Sequence, residues 1–345
     1  MMDIDLDYVK SLMAELLAIP SCGGYSREAM ERVRREFEAL GVGTVATKKG
    51  ALIGTLAGRD DETHKMISAH IDTLGAMVKE IKPNGRLKLT NIGGFAWQAF
   101  EAENAVVKTM DGREYSGALL PEKASVHIFS DEAREGPRTE ETMELRIDED
   151  TKTREETERL GIAVGDFVFF DPKTRFTESG YVKSRFLDDK ACVAVLFGAI
   201  KYFRDKGIIP DHTTHFYVSN YEEIGHGISL LPEKVDELVA LDIGTVGGSH
   251  TSDERCVTIV AKDSRTPYDF ELRKRLVDIA KANGIDYRVD VHYRYGSDAS
   301  MAVLQGFEAN FACIGMGVDA THHYERTHMD GIANNLRLLI KYLAE

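Results

Sequence analysis

The chain is poor in cysteine, poor in proline and short of positive charge. Its four cysteines, Cys22, Cys192, Cys256 and Cys313, lie far apart with no Cys-x-x-Cys spacing. That excludes a disulfide framework and a zinc knuckle and leaves buried free thiols as the expectation. No apolar run approaches the ~20 residues that a membrane-spanning helix needs, and the longest, 191–200, is broken by Gly198. Lys and Arg number 43 against 57 Asp and Glu, a formal net charge of −14. Nucleic acid and anionic membranes both demand a basic footprint, so neither is expected as a partner. The start, MMDIDLDYVK, is acidic where a secretory signal would be basic, and the expected location is the cytoplasm.

What is present is ordinary globular material, 43% apolar and 29% charged over 345 residues, enough for a large core. Leu6, Val9, Leu12, Met13, Leu16 and Leu17 recur at helical spacing up to Pro20. A second helix follows from Ser26, then apolar β stretches ending at His70-Ile71-Asp72. From about Lys79 to Asp171 short strands alternate with turn signals, as in a small all-β module. Its middle, DEAREGPRTEETMELRIDEDTKTREETE, is charged enough to suggest a solvated or mobile loop. After Ser184, strands again alternate with helices. The expected fold is α/β, a mixed and mainly parallel sheet flanked by helices. The expected domains are 1–75 with 173–345, interrupted by an inserted β-rich domain at 76–172.

Acids and histidines gather where apolar runs stop: His70 and Asp72, Asp188 and Asp189, Glu222 and Glu223, Asp242, and the group His322, His323 and His328. In an open α/β sheet those strand ends are where ligands bind. Any one of them alone reads as a cap or a structural residue; their number suggests a metal site. A bridging aspartate, two more carboxylates and two imidazoles would nearly neutralise two divalent cations and a hydroxide. Mixed oxygen and nitrogen donors suit zinc or cobalt and also admit manganese.

The segments AHIDTLGAMV, FLDDKACVAVL, NYEEIGHG, ALDIG, YGSDAS and YERTHMD resemble, in order and spacing, motifs of the M42 family of dinuclear metallo-aminopeptidases. The resemblance spans nearly the whole chain. It implies hydrolysis of the N-terminal residue of peptides through a hydroxide bridging two metal ions. By this likeness His70 and Asp242 hold one ion, Asp188 bridges, and Glu223 and His328 hold the other. Asp72 would orient the His70 ring through a hydrogen bond, and Glu222 would be the general base. The resemblance also implies short peptides as substrates and a homo-oligomer of dimers, as a dodecamer, assembled through the inserted domain.

Two departures stand out. HHYERTHMDG replaces an ending in which an arginine-tyrosine pair precedes the last histidine, so His322 and His323 compete with His328; His328 is preferred because YERTH resembles a variant ending in the family. YGSDAS replaces a glycine-glycine-threonine form, leaving Asp298 and Ser297, with His226 and His323, as candidate substrate contacts. His212 and His215 read as edge or packing residues, and His64, His127, His250 and His292 as surface or structural ones. The rival functions are an M20-like carboxypeptidase or deacylase, whose small domain comes later in the chain, and a catalytically silent oligomeric scaffold. A glycosidase would need two separated carboxylates and no metal.

Overall fold

The computed structural model describes residues 2–345. The chain forms two compact units, one running to Asp72 and resuming from Lys173 to Glu345, the other Thr73–Pro172. No helix of the described residues is long and apolar enough to cross a membrane.

In the first unit the helix Leu6–Ala18 starts where the Asp5 side chain accepts from the Tyr8 amide at 2.9 Å, a side-chain N-cap. It buries Val9, Leu12, Met13, Leu16 and Leu17, the residues whose spacing marks it as a helix. Three strands follow the helix Arg27–Ala39: β1 (Thr44–Ala46), β2 (Leu52–Leu56) and β3 (Asp60–His70).

The second unit holds β4 (Gly75–Ile81), β5 (Leu87–Ile92), β6 (Asn104–Lys108), β7 (Glu114–Pro121), β8 (Met143–Ile147) and β9 (Phe167–Phe170). They close into a barrel in the order β4-β5-β8-β7-β6-β9. Ala76, Val78, Leu87, Leu89, Val107, Leu119, Leu145 and Val168 are buried, and on β5, β6 and β7 the buried residues alternate with less buried neighbours as barrel strands require. The charged middle is more ordered than its composition suggests. Met143, Leu145 and Ile147 give it a period of two that makes β8, and Thr153 with Glu156 forms a capping box opening the helix Arg154–Arg159.

The chain then returns with β10 (Arg175–Phe176), β11 (Tyr181–Ser184), β12 (His212–Ser219), β13 (Val235–Leu241), β14 (Gly244–Val246), β15 (Val257–Lys262), β16 (Tyr287–Val291), β17 (Asn310–Asp319) and β18 (Glu325–His328). Together with β1–β3 these make a 12-stranded sheet ordered β1-β2-β12-β3-β13-β17-β18-β11-β10, with β14 on β17 and β15 between β17 and β16. Its centre, β12-β3-β13-β17, is parallel, and the flanking pairs β1-β2, β2-β12, β18-β11 and β17-β15 are antiparallel. The helix Leu187–Lys206 is buried almost all round, which explains its apolar sequence AVLFGAI. It packs on β3 and on the helices Leu6–Ala18 and Met329–Leu343.

One glycine is dictated by close approach. A Cβ on Gly315 of β17 would lie 1.2 Å from the carbonyl oxygen of Asp242, just past β13. Backbone atoms cannot yield as a side-chain tip can. Gly315→Ala is expected to cost about 3 kcal/mol of stability, read as a lowered urea midpoint.

Candidate metal centre

Each of the four central parallel strands delivers residues at its carboxyl end. His70 is the last residue of β3, Glu222 and Glu223 follow β12, Asp242 follows β13, and Thr321 and His322 follow β17. Asp188 comes from the first turn of the helix Leu187–Lys206. Asp188, Glu222, Glu223, Asp242, Thr321 and His322 line a cavity of about 670 Å³ together with Arg265, Arg294, Tyr295 and Met301.

The His70 Nδ1–H donates to the carbonyl oxygen of Asp72 at 3.0 Å. That fixes the tautomer and turns a free Nε2 towards Asp188 Oδ1, 3.2 Å away. The other oxygen of Asp188 lies 3.5 Å from His322 Nε2 and accepts from Thr321 Oγ1 at 3.0 Å. His322 Nε2 is in turn 3.4 Å from Glu223 Oε2, and Glu222 Oε2 stands 3.8 Å from His70 Nε2. Asp188 belongs to two groups whose donor atoms all lie within 4.8 Å, one with His70 and Glu223 and one with Asp189 and Asp242. It is the residue that the two groups have in common.

Buried carboxylates hold the backbones that carry these ligands. Asp72 accepts from the amides of both Glu222 and Glu223, at 3.1 and 3.2 Å. Glu325 accepts from the amides of Asp188 and His322, both at 3.1 Å, and Asp189 from that of His70 at 3.0 Å. Residues 222–224 form a single 3-10 turn between Tyr221 (φ +71°) and Gly225 (φ +83°). In a straight strand adjacent side chains would point to opposite faces; the turn brings both glutamates to one cavity. His322 is held at φ +60°, a left-handed backbone that L side chains rarely adopt.

Burial pushes Asp72 up to about 6, Glu223 to about 7 and Glu325 to about 8. It drives Glu222, Asp189 and Asp242 well above the usual carboxylate range, with the charges of neighbouring acids adding to the rise. Asp188 alone stays low: burial opposes its charge, but His322 and His70 outweigh it. Glu223 Oε1 and Asp189 Oδ1 are buried without a hydrogen-bond partner among the described residues. So much buried negative charge, presented through two imidazoles and several carboxylates, fits divalent cations.

Not every expected residue reaches this cluster. His328 does not. Its Nε2–H donates to the Ser179 carbonyl at 2.9 Å, and its Nδ1 accepts from the Asp330 amide at 3.0 Å, capping the last helix. β18 begins at the cluster with Glu325 and runs away from it, so three residues of extended chain carry His328 about 10 Å off. The imidazole beside Asp188 and Glu223 belongs to His322. His323 is exposed, its Nδ1 accepting from the Tyr324 amide. The carboxylate of Asp72 stands 3.6 Å from His70 Nδ1 and serves the glutamate turn, while the backbone carbonyl orients the ring.

Asp298 and Ser297 are structural as well. Asp298 is buried and accepts from Ser219 Oγ and from the Ile228 amide; Ser297 caps the helix Asp298–Leu304. His226 is exposed and stacked on Tyr221, with ring centroids 5.0 Å apart. His64 Nδ1 meets His215 Nε2 at 2.9 Å, a structural contact away from the cluster. Glu325 and Asp189 lie inside the motifs YERTHMD and FLDDKACVAVL, and Thr321 directly precedes HHYERTHMDG, yet the family likeness gives none of them a role. Arg265 and Arg294 had no signal, being 29 residues apart.

The family described as M42 glutamyl aminopeptidase matches residues 50–338. "Putative aminopeptidase YhfE" of Bacillus subtilis (strain 168) is 45% identical over 333 residues, 96% of this chain and 96% of its own. Among solved structures, a TET aminopeptidase from a marine sediment Thaumarchaeota archaeon superposes with a TM-score of 0.87 at 21% identity, covering 98% of this chain and 97% of that one. Pyrococcus horikoshii TET1 peptidase, which can assemble into a tetrahedron or a large octahedral shell, gives 0.84 at 22%, covering 98% and 99%.

The raised carboxylates set a pH dependence. An acid whose folded pKa exceeds its unfolded value favours the folded state below the unfolded pKa and loses that contribution as pH rises through the folded one. For Asp72, Glu223 and Glu325 that loss runs from the normal carboxylate range up to about 6, 7 and 8. Chelator-treated protein is expected to melt at a lower temperature at pH 8.5 than at pH 6. Added Zn2+ or Co2+ should raise the melting temperature most at the higher pH, as thermal melts at both pH values would read.

Proposed function

The chain belongs to the M42 glutamyl aminopeptidase family and is a peptide hydrolase of the aminopeptidase kind, and we propose that it releases N-terminal residues from short peptides with two divalent ions. The assignment gives one ion to His70 and Asp242, the other to Glu223 and His322, and Asp188 to both. The observation that carries it is Asp188, one of whose carboxylate oxygens faces His70 and the other His322. When bound, the ions would polarise the scissile carbonyl and lower the pKa of water towards neutrality. Zinc or cobalt suits the donors, and manganese is compatible with them.

Glu222 has the position of a general base. It lines the cavity on the His70 side, its backbone is held by Asp72, and its neighbour Glu223 is turned to His322. A carboxylate so placed takes a proton from water and returns it to the leaving amide nitrogen, a contribution of about 10²- to 10⁴-fold. Burial raises Glu222, and an opposing positive charge nearby is what keeps such a group ionised and able to accept that proton.

Glu222→Gln is expected to retain both ions and lose about 10²- to 10⁴-fold in kcat. His322→Ala should lose metal together with activity, whereas His328→Ala should keep its metal content. Metal analysis of the three purified variants beside their kinetics tests the assignment, and metal loss in His328→Ala with none in His322→Ala would reverse it.

Arg265 and Arg294 bring two guanidinium groups to this cavity, and no carboxylate of the described residues forms an ion pair with either side chain. That supports an acidic side chain at the substrate's N-terminal residue. A charge-assisted hydrogen bond is worth about 1.5–3 kcal/mol, so Arg294→Ala or Arg265→Ala should lower kcat/KM for glutamyl over leucyl substrates by about 10- to 100-fold, measured with aminoacyl p-nitroanilides.

The buried free thiols suit a reducing compartment, which supports a cytoplasmic setting. The inserted unit exposes Met110, Val126, Ile128 and Val164. With the assemblies formed by Pyrococcus horikoshii TET1 peptidase, this supports a homo-oligomer of dimers, a dodecamer, built through residues 73–172.

A further inference from the structure

A second group of ligating side chains, which the proposed reaction does not use, lies at the edge of the large sheet. His250, in the loop after β14, and Asp290 and His292, at the end of β16, each present one donor atom, and the three atoms lie within 4.8 Å of one another. Asp290 and His292 are 7% and 1% exposed.

The separations are those of co-ligands. His250 Nδ1 is 3.3 Å from Asp290 Oδ1, and His292 Nε2 is 3.7 Å from Asp290 Oδ2. A charge-assisted hydrogen bond would be about 2.7–2.9 Å. Donors arranged tetrahedrally at about 2.0–2.1 Å from one ion stand about 3.3 Å apart. The donors at the strand ends have the same spacing, 3.2 Å for His70 with Asp188 and 3.4 Å for His322 with Glu223.

Asp290 is held as a ligand carboxylate is held. Its Oδ2 accepts from the Thr251 and Ser252 amides and from Ser252 Oγ, at 2.8, 2.9 and 2.8 Å, and its Oδ1 from the Val291 amide at 2.8 Å. These donors orient the carboxylate without cancelling its charge, and no Lys or Arg of the described residues forms an ion pair with it. The His292 Nε2 that faces Asp290 Oδ2 meets Ser252 Oγ at 3.5 Å, a contact long enough to leave that nitrogen's lone pair to an ion.

We propose that His250, Asp290 and His292 form a further divalent-cation site, of the zinc and cobalt class by its two imidazoles and one carboxylate. The ion ties the loop carrying His250 to the segment that leaves β16. That segment forms part of the cavity wall: the His292 ring lies edge-on to Tyr295 at 5.0 Å, and Arg294 and Tyr295 line the cavity, as does Thr245 on the other side of the tie. The site braces a wall of the substrate cavity and takes no part in the chemistry. It rests on its own geometry and stands whether or not the aminopeptidase mechanism is assigned correctly.

The test is a metal count. Chelator-stripped protein is loaded with Co2+, freed of excess by gel filtration and analysed by mass spectrometry for bound cobalt. Wild type should hold about one ion per chain more than His250→Ala and His250→Gln, both at a partly exposed position that the fold tolerates. The same decrement should appear when each substitution is placed in a His322→Ala background, where the strand-end cluster is already impaired. The visible Co2+ spectrum of wild type minus His250→Ala should be that of a low-coordinate nitrogen and oxygen site. Equal cobalt content in wild type and both His250 variants, or a decrement that vanishes in the His322→Ala background, overturns the proposal.

Discussion

The constraint on which the rest depends is the concentration of negative charge around Asp188. Its two carboxylate oxygens face His70 on one side and His322 on the other, and Glu222, Glu223, Asp189 and Asp242 crowd the same space. Such a cluster is costly to bury unless positive charge enters it. The protein meets part of that cost with backbone amides. Asp72 spans the two glutamate amides, and Glu325 ties the start of the Leu187–Lys206 helix to the loop after β17. Buried carboxylates thus both crowd the cavity and fix the backbone that shapes it.

The sheet makes this concentration reachable. Four adjacent parallel strands end at one edge, so residues 70, 222, 242 and 322 converge although the chain separates them by up to 252 positions. Each strand needs only to stop with the right residue. The close fit at Gly315, where any side chain would strike the carbonyl of Asp242, shows how tightly neighbouring strand ends are packed to bring this about.

Most of the clustered residues were legible in the sequence because each marks the end of an apolar run: His70 after MISA, Glu222 and Glu223 after HFYVSN, Asp242 after LVAL, with Asp188 heading an apolar helix. The last histidine was not. His322, His323 and His328 fall within seven residues, and composition cannot rank them. The direction of β18 does so, since it starts beside the cluster and carries His328 away. Asp298 and Ser297 fit a motif yet serve the backbone, because the side-chain oxygens that recommend them for substrate also satisfy the amide of Ile228 and the start of a short helix.

The sequence by itself determined the fold class, the presence of a β-rich segment, the family likeness and the kinds of residue that gather at the strand ends, since periodicity and residue type are local properties. The tertiary structure decided which imidazole joins Glu223, which group of Asp72 holds His70, that Glu325 matters, and that Arg265 and Arg294 share a cavity. Those are relations between segments distant in the chain. They follow from strand direction and from one 3-10 turn that points two adjacent glutamates the same way, and neither is written in the identity of any single residue.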